Sequence, residues 1–249
     1  MANSSKITMS SDEILATLKR TSLPTVLIEG SDDILVFRHL EHAHSSLGLS
    51  VLPVGGRTTI LELFNRRSEL PPNAAVVFIA DKDIWVITGI PPQYQHHSLI
   101  FTTGYSIEND VFMDGNLLTY LLPDESNIFH SEIERYVRWY ALAVTRHTTN
   151  PSTNVSLHPE HLLDNQVEMA AQLSLEAGET YPDQMRVRIL SDYHNLLRGK
   201  TLMKILCRRL GHKKRTARHN EKSLIEVVGL NRGVAINEIF SNVARAFEK

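Results

Sequence analysis

The run Ala74-Ala-Val-Val-Phe-Ile-Ala80 narrows the fold of this chain more than any other feature. It is near-continuously apolar, and Pro71-Pro72 separates it from the preceding chain. Runs of this kind belong to strands buried on both faces of a parallel sheet, because crossover helices cover both sides. Three further segments read as strands: Thr25 to Ile28, Leu49 to Val54 and Ser98 to Thr102, the second stopped by Gly55-Gly56. Helical patterns lie between them. Residues 12–20 form a short helix with Ser10 or Ser11 as its cap. Ser31-Asp32-Asp33 opens a second, with Ile34, Phe37 and Leu40 on one face, and Thr58 to Arg67 is a third. The alternation predicts an α/β fold with a mostly parallel sheet flanked by helices.

Beyond Glu108 the pattern turns helical. Asn116 to Leu122, Ser131 to Arg146, Pro159 to Leu175, Ser191 to Leu210 and Ala235 to Phe247 carry helical periodicity. Polar loops are expected at Thr148 to Ser156 and Glu176 to Pro182. The expected organisation is an α/β core over 22–115 followed by a C-terminal helical region over 116–249.

With 249 residues and 42% hydrophobic side chains, the chain can bury a sizeable core. Its formal net charge of −2 neither favours nor excludes nucleic acid, so charge distribution must decide. The single cysteine, Cys207, excludes an internal disulfide and a cysteine-based zinc site and reads as a small core residue. Polar residues from Met1 to Ser11, and the absence of any run long enough for a bilayer, lead to the expectation of a cytoplasmic protein with no membrane association.

Acidic residues mark the ends of the apolar runs. Glu29 follows Val26-Leu27-Ile28, where it has no capping role, and Asp33 lies four residues on in the first turn of the next helix. Asp32 reads as a favourable charge at a helix N-terminus. Asp81 and Asp83 follow the longest strand at a spacing that puts both side chains on one side of extended backbone. Glu108, in Ser106-Ile107-Glu108-Asn109, follows the last strand. Ligands bind open α/β sheets outside the carboxyl ends of their strands. Carboxylates gathered there repel one another unless a hard divalent cation such as Mg²⁺ neutralises them. The pattern therefore points to metal-dependent phosphate chemistry.

Together, Ile28-Glu29-Gly30-x-x-Asp33, Asp81-x-Asp83 and Ser106-Ile107-Glu108-Asn109 resemble the TOPRIM domain of topoisomerases, primases and OLD-family nucleases. The Ser-Ile-Glu-Asn element is most similar to the OLD-like group that includes the effector subunits of PARIS anti-phage systems. The likeness covers about residues 22–115 and extends to Arg198-Gly199-Lys200. It implies Glu29, Asp33, Asp81, Asp83 and Glu108 as ligands of two Mg²⁺ ions, with Mn²⁺ as a substitute. It also implies Glu29 and Lys200 as catalytic residues. Topoisomerases carry a third acid in Asp-x-Asp-x-acid, whereas this chain has Trp85, so Glu108 would supply the missing oxygen. The resemblance further implies a toxic defence effector that cleaves tRNA, an ABC-type ATPase partner, a phage-encoded trigger and homodimerisation on activation. No Walker A motif is present, since Gly199-Lys200 lacks the upstream glycine spacing.

Residues 208–219 form the densest basic stretch, and Arg208, Arg209, Lys213, Lys214, Arg215 and Arg218 read as a phosphate-backbone track. Arg57, just past Gly55-Gly56, is placed to touch a phosphate beyond a strand end. His96-His97 are poor co-ligands if they lie in a strand, where neighbours point to opposite faces. Trp139 and Tyr140 read as helix core. Two rival functions stand beside the ribonuclease: an OLD-type DNA nuclease, and a non-catalytic interaction subunit of the ATPase complex.

Overall fold

The computed structural model describes residues 9–248. They form two compact units, which divide the chain differently from a cut at residue 115. One unit holds the chain up to Asp81, Pro91–Thr102 and the segment from Ile225 onward; the other holds Lys82–Ile90 and Thr103–Leu224.

The first unit is built on four parallel strands: β1 (Thr25–Ile28), β2 (Ser50–Pro53), β3 (Val76–Ala80) and β4 (Leu99–Phe101), in the order β2-β1-β3-β4. Register pairs Val26 with both Val51 and Val77, and Ile79 with Ile100. β1 is buried along its whole length, as is β3 beyond Val76, which is what a run without polar alternation requires. Pro53, which has no N–H to donate, ends the edge strand β2, where no neighbour needs that donor.

Helix α1 (Ser11–Leu18) starts in a capping box, with Ser10 Oγ accepting from Glu13 N–H and the Glu13 carboxylate accepting from Ser10 N–H at 2.7 Å. It packs with α3 (Arg57–Asn65) on one face of the sheet. There Ile14, Leu15, Leu18, Ile60, Leu63 and Phe64 close over Leu27, Phe78, Ala80 and Leu99. Strand alternation sends Val26, Ile28, Val77 and Ile79 to the other face. Helix α2 (Ile34–Ala43) belongs to the same unit, and its Phe37 meets Phe240 of the C-terminal helix Val234–Phe247 at 6.4 Å between centroids. That helix also packs along β3 and β4, so the end of the chain completes the α/β unit. Close approach is secured at Gly229, where an added Cβ would stand 2.9 Å from the Leu35 carbonyl oxygen.

The second unit is helical. Its centre is the 27-residue helix Pro123–Thr149, which buries Phe129, Ile133, Tyr136, Val137, Tyr140 and Val144. Trp139 and Tyr140 are core residues, 2% and 0% exposed. Two expected helices are broken. Pro159 to Leu175 divides at Asp164-Asn165, where Asp164 pairs with Arg208 and Asn165 caps the next helix by accepting from Glu168 N–H. Ser191 to Leu210 is interrupted where Leu197 turns extended and its carbonyl is taken by Asn109, so the long helix begins only at Gly199. Asp183–Ser191 and Glu221–Leu230 are helices that the periodicity did not announce, and Asn116 to Leu122 is only a 3₁₀ turn at Leu117–Tyr120. In the α/β unit, His96 and His97 precede β4 instead of lying in it; their rings meet tilted, 4.3 Å apart between centroids, and His96 Nδ1 is taken up by Ser98. Burial pushes the Cys207 thiol up to about 12. Among the described residues no helix is long and apolar enough to cross a membrane.

Candidate functional site

Within the α/β unit the strand order fixes where a ligand can approach. The chain leaves β1 toward β2 on one side, and after β2 it returns past β1 to β3 and β4 on the other. The carboxyl ends of β1 and β3 are therefore the topological switch point, where neighbouring connections part and leave a crevice. Glu29 is the first residue after β1, and Asp81 is the first after β3. They meet there: Asp81 N–H donates to Glu29 Oε1 at 2.7 Å. Arg57, the first residue of α3, reaches the same edge and donates from Nε to the Asp81 carbonyl at 2.9 Å. Asp33 sits at the cap of α2 and folds back over its own loop, accepting from Gly30 N–H at 2.7 Å through Oδ2. So the structure brings together Glu29, Asp81 and Arg57, while one Asp33 oxygen closes the loop that carries Glu29.

The helical unit carries Asp83, Glu108 and Lys200. Asp83 holds a left-handed backbone at φ +49°, uncommon for a residue with a side chain, and its N–H donates to the Tyr105 carbonyl at 2.7 Å. Lys82 Nζ donates to the Thr103 carbonyl, so both residues flanking this bend are stitched to the segment before Ser106. Ser106 caps the helix Ile107–Asp114; its N–H donates to Asn109 Oδ1 at 3.0 Å, and its hydroxyl donates to Glu108. Glu108 is 4% exposed. Asn109, wholly buried, donates through Nδ2 to the carbonyls of His194 at 2.7 Å and Leu197 at 2.9 Å. It thereby fixes the turn that leads into Gly199-Lys200. Gly199 lies so close that an added Cβ would stand 2.2 Å from Ser106 Oγ and 2.5 Å from Asn109 Oδ1. Lys200 follows it and is exposed.

Asp110, which residue order does not single out, holds the loop that enters this motif. Its carboxylate accepts from Thr103 N–H at 2.9 Å and Gly104 N–H at 2.8 Å. Burial pushes its pKa up to about 6 despite those two bonds. The sign of the linkage follows: a raised carboxyl favours folding below the ordinary value near 3.8 and loses that contribution as pH rises through about 6. An Asp110→Asn variant does not titrate. Urea unfolding of both proteins should show the wild type's relative stability falling by about 2 kcal/mol between pH 4 and pH 7, since each pKa unit corresponds to ~1.4 kcal/mol and part of the window lies below pH 4. A constant difference across that range would contradict the assignment.

The basic stretch splits into two kinds of residue. Arg208 pairs with Glu132 and Asp164, Arg209 with Glu132, and Arg215 with Glu125 at 3.0 Å. These three are mostly covered and tie segments of the unit together. Lys213, Lys214 and Arg218 are exposed and make no ion pair among the described residues.

Among the described residues no group of three or more His, Cys, Asp or Glu side chains is arranged to hold a metal ion. That excludes a ready-made all-protein cage there, which is not what Mg²⁺ requires. Mg²⁺ keeps several waters and is usually held by one or two carboxylates together with substrate phosphates. Glu29 and Asp81, hard oxygen donors at the switch point, fit that requirement. No family model matches the chain, and no curated protein matches it.

Proposed function

We propose that the chain is a magnesium-dependent nuclease of the TOPRIM type that hydrolyses nucleic-acid phosphodiesters. The observation that carries this reading is the bond between Asp81 N–H and Glu29 Oε1, which puts two acidic residues side by side at the switch point of a parallel sheet. Glu29, Asp33 and Asp81 of the α/β unit are the residues that would hold the metal. Bound Mg²⁺ supplies an activated water and stabilises the leaving oxygen of the phosphodiester. Arg57, held at that edge through Nε, brings a positive charge to where a phosphate would lie. The motif likeness assigns a catalytic role to Lys200 of the helical unit.

The finer reading rests on the motif likeness: a toxic effector comparable to AriB of PARIS systems, acting on tRNA and restrained by an AriA-like ABC ATPase until a phage protein releases it. Release would be accompanied by homodimerisation. The direct test expresses the wild type and Glu29→Ala, with and without the ATPase partner, and sequences cellular RNA ends. Cuts in tRNA that disappear with Glu29→Ala are expected. Intact RNA with Glu29-dependent DNA breaks would move the assignment to an OLD-type DNase. Intact RNA and DNA under every condition, phage trigger included, would favour the interaction subunit.

A further inference from the structure

We infer that the loop 211–220 and Tyr120 of the helical unit form a groove for an unpaired nucleic-acid strand; this deepens the nuclease reading and rests on it. Three observations build the groove. First, Arg215 fastens the loop: it is 15% exposed, pairs with Glu125 at 3.0 Å, donates to the Tyr120 carbonyl at 2.7 Å and donates to Ala217 within the loop. The loop is thus tied to the residue that carries the aromatic ring. Second, with Arg215 neutralised by Glu125 and no acidic residue between 211 and 220, Lys213, Lys214 and Arg218 leave an uncompensated charge of +3 on exposed side chains. Third, a cavity of about 360 Å³ opens at Lys214, between the loop and Leu122 and Glu125.

Tyr120 supplies what a purely electrostatic track lacks. Tyr120 is 39% exposed, and its ring is held edge-on by His219 at 5.4 Å between centroids. A half-exposed aromatic held in place beside free cations is the combination that binds single strands: bases stack on the ring while phosphates follow the charge. A paired duplex keeps its bases stacked on one another and offers none to Tyr120, so the groove selects for unpaired segments. In a folded RNA those are loops, bulges and ends.

The test measures binding by fluorescence anisotropy, with a labelled 12-nucleotide single strand and the matching duplex, in EDTA so that no cleavage occurs. Wild type should bind the single strand more tightly. The triple variant Lys213→Gln/Lys214→Gln/Arg218→Gln should bind weakly, with the slope of log K against log salt flatter by about 2, since each phosphate contact to a single strand contributes ~0.7. Tyr120→Ala should weaken single-strand binding by roughly fivefold or more and leave duplex binding unchanged. An unaltered salt slope in the triple variant, or equal loss of both substrates with Tyr120→Ala, would overturn the groove. Far-UV circular dichroism of each variant guards against misfolding, and Lys→Arg replacement at 213 and 214 should restore binding. Binding without cleavage when Mg²⁺ is restored would defeat the nuclease and leave the groove standing. Glu29-dependent cleavage by a triple variant that still binds like wild type would do the reverse.

Discussion

Gly199→Ala should lower the stability of the protein by about 3 kcal/mol, although alanine is the better helix former. Gly199 opens a helix, where alanine in place of glycine is worth up to ~1 kcal/mol. Against this stands a methyl group that would fall 2.2 Å from Ser106 Oγ, 2.5 Å from Asn109 Oδ1 and 3.0 Å from Glu108 Cβ. None of these can retreat cheaply. Ser106 and Asn109 are buried and engaged in the cap of the helix Ile107–Asp114, and Asn109 also holds two carbonyls of the 194–197 turn. Overpacking of a well-filled interior costs ~1–3 kcal/mol, and here it also threatens buried hydrogen bonds at ~1–3 kcal/mol each. Crowding wins over propensity. In a chain of this size the loss corresponds to a fall in Tm of roughly 6–12 °C. Lys200→Ala, one residue on and exposed, should change stability by no more than ~0.5 kcal/mol. A Gly199→Ala protein that melts like the wild type would show that the helix start does not bear on the Ser106–Asn109 motif.

On the proposed nuclease reading, Glu29→Gln should cut turnover by about 10²-fold or more while leaving Tm within a few degrees of the wild type. The substitution keeps the shape of the side chain and an oxygen that can still accept from Asp81 N–H, so the β1–β3 edge should stay closed. What disappears is the negative charge, and with it the affinity of a hard oxygen donor for a divalent cation. On the same reading, raising Mg²⁺ should recover part of the loss, since Asp81 would still bind it. Purified proteins assayed on labelled RNA and DNA over a range of Mg²⁺ concentrations, alongside thermal melts, provide the check. Full activity in a folded Glu29→Gln protein would remove Glu29 from the chemistry.

The local elements were legible from residue order, because each depends on contacts a few positions apart. Thr25 to Ile28 and Ala74 to Ala80 lack polar alternation and so had to be covered on both faces; they are the two central strands. The acids behind them, Glu29 and Asp81, are placed at strand ends by chain continuity alone. Other features depend on groups far apart in the chain. Strand order, which turns two strand ends into one switch point, follows from how the crossovers pack. The arginines of the basic stretch look alike in sequence, but Glu125, Glu132 and Asp164 claim three of them and leave the two lysines and Arg218 exposed. Periodicity ran through Leu197 because nothing local stops that helix; Asn109, 88 residues earlier, stops it by taking the Leu197 carbonyl. Residue order is enough to place the strands and the acids that end them. Tertiary structure decided which polar groups meet, because a buried carbonyl or guanidinium is satisfied by whatever partner the fold brings to it.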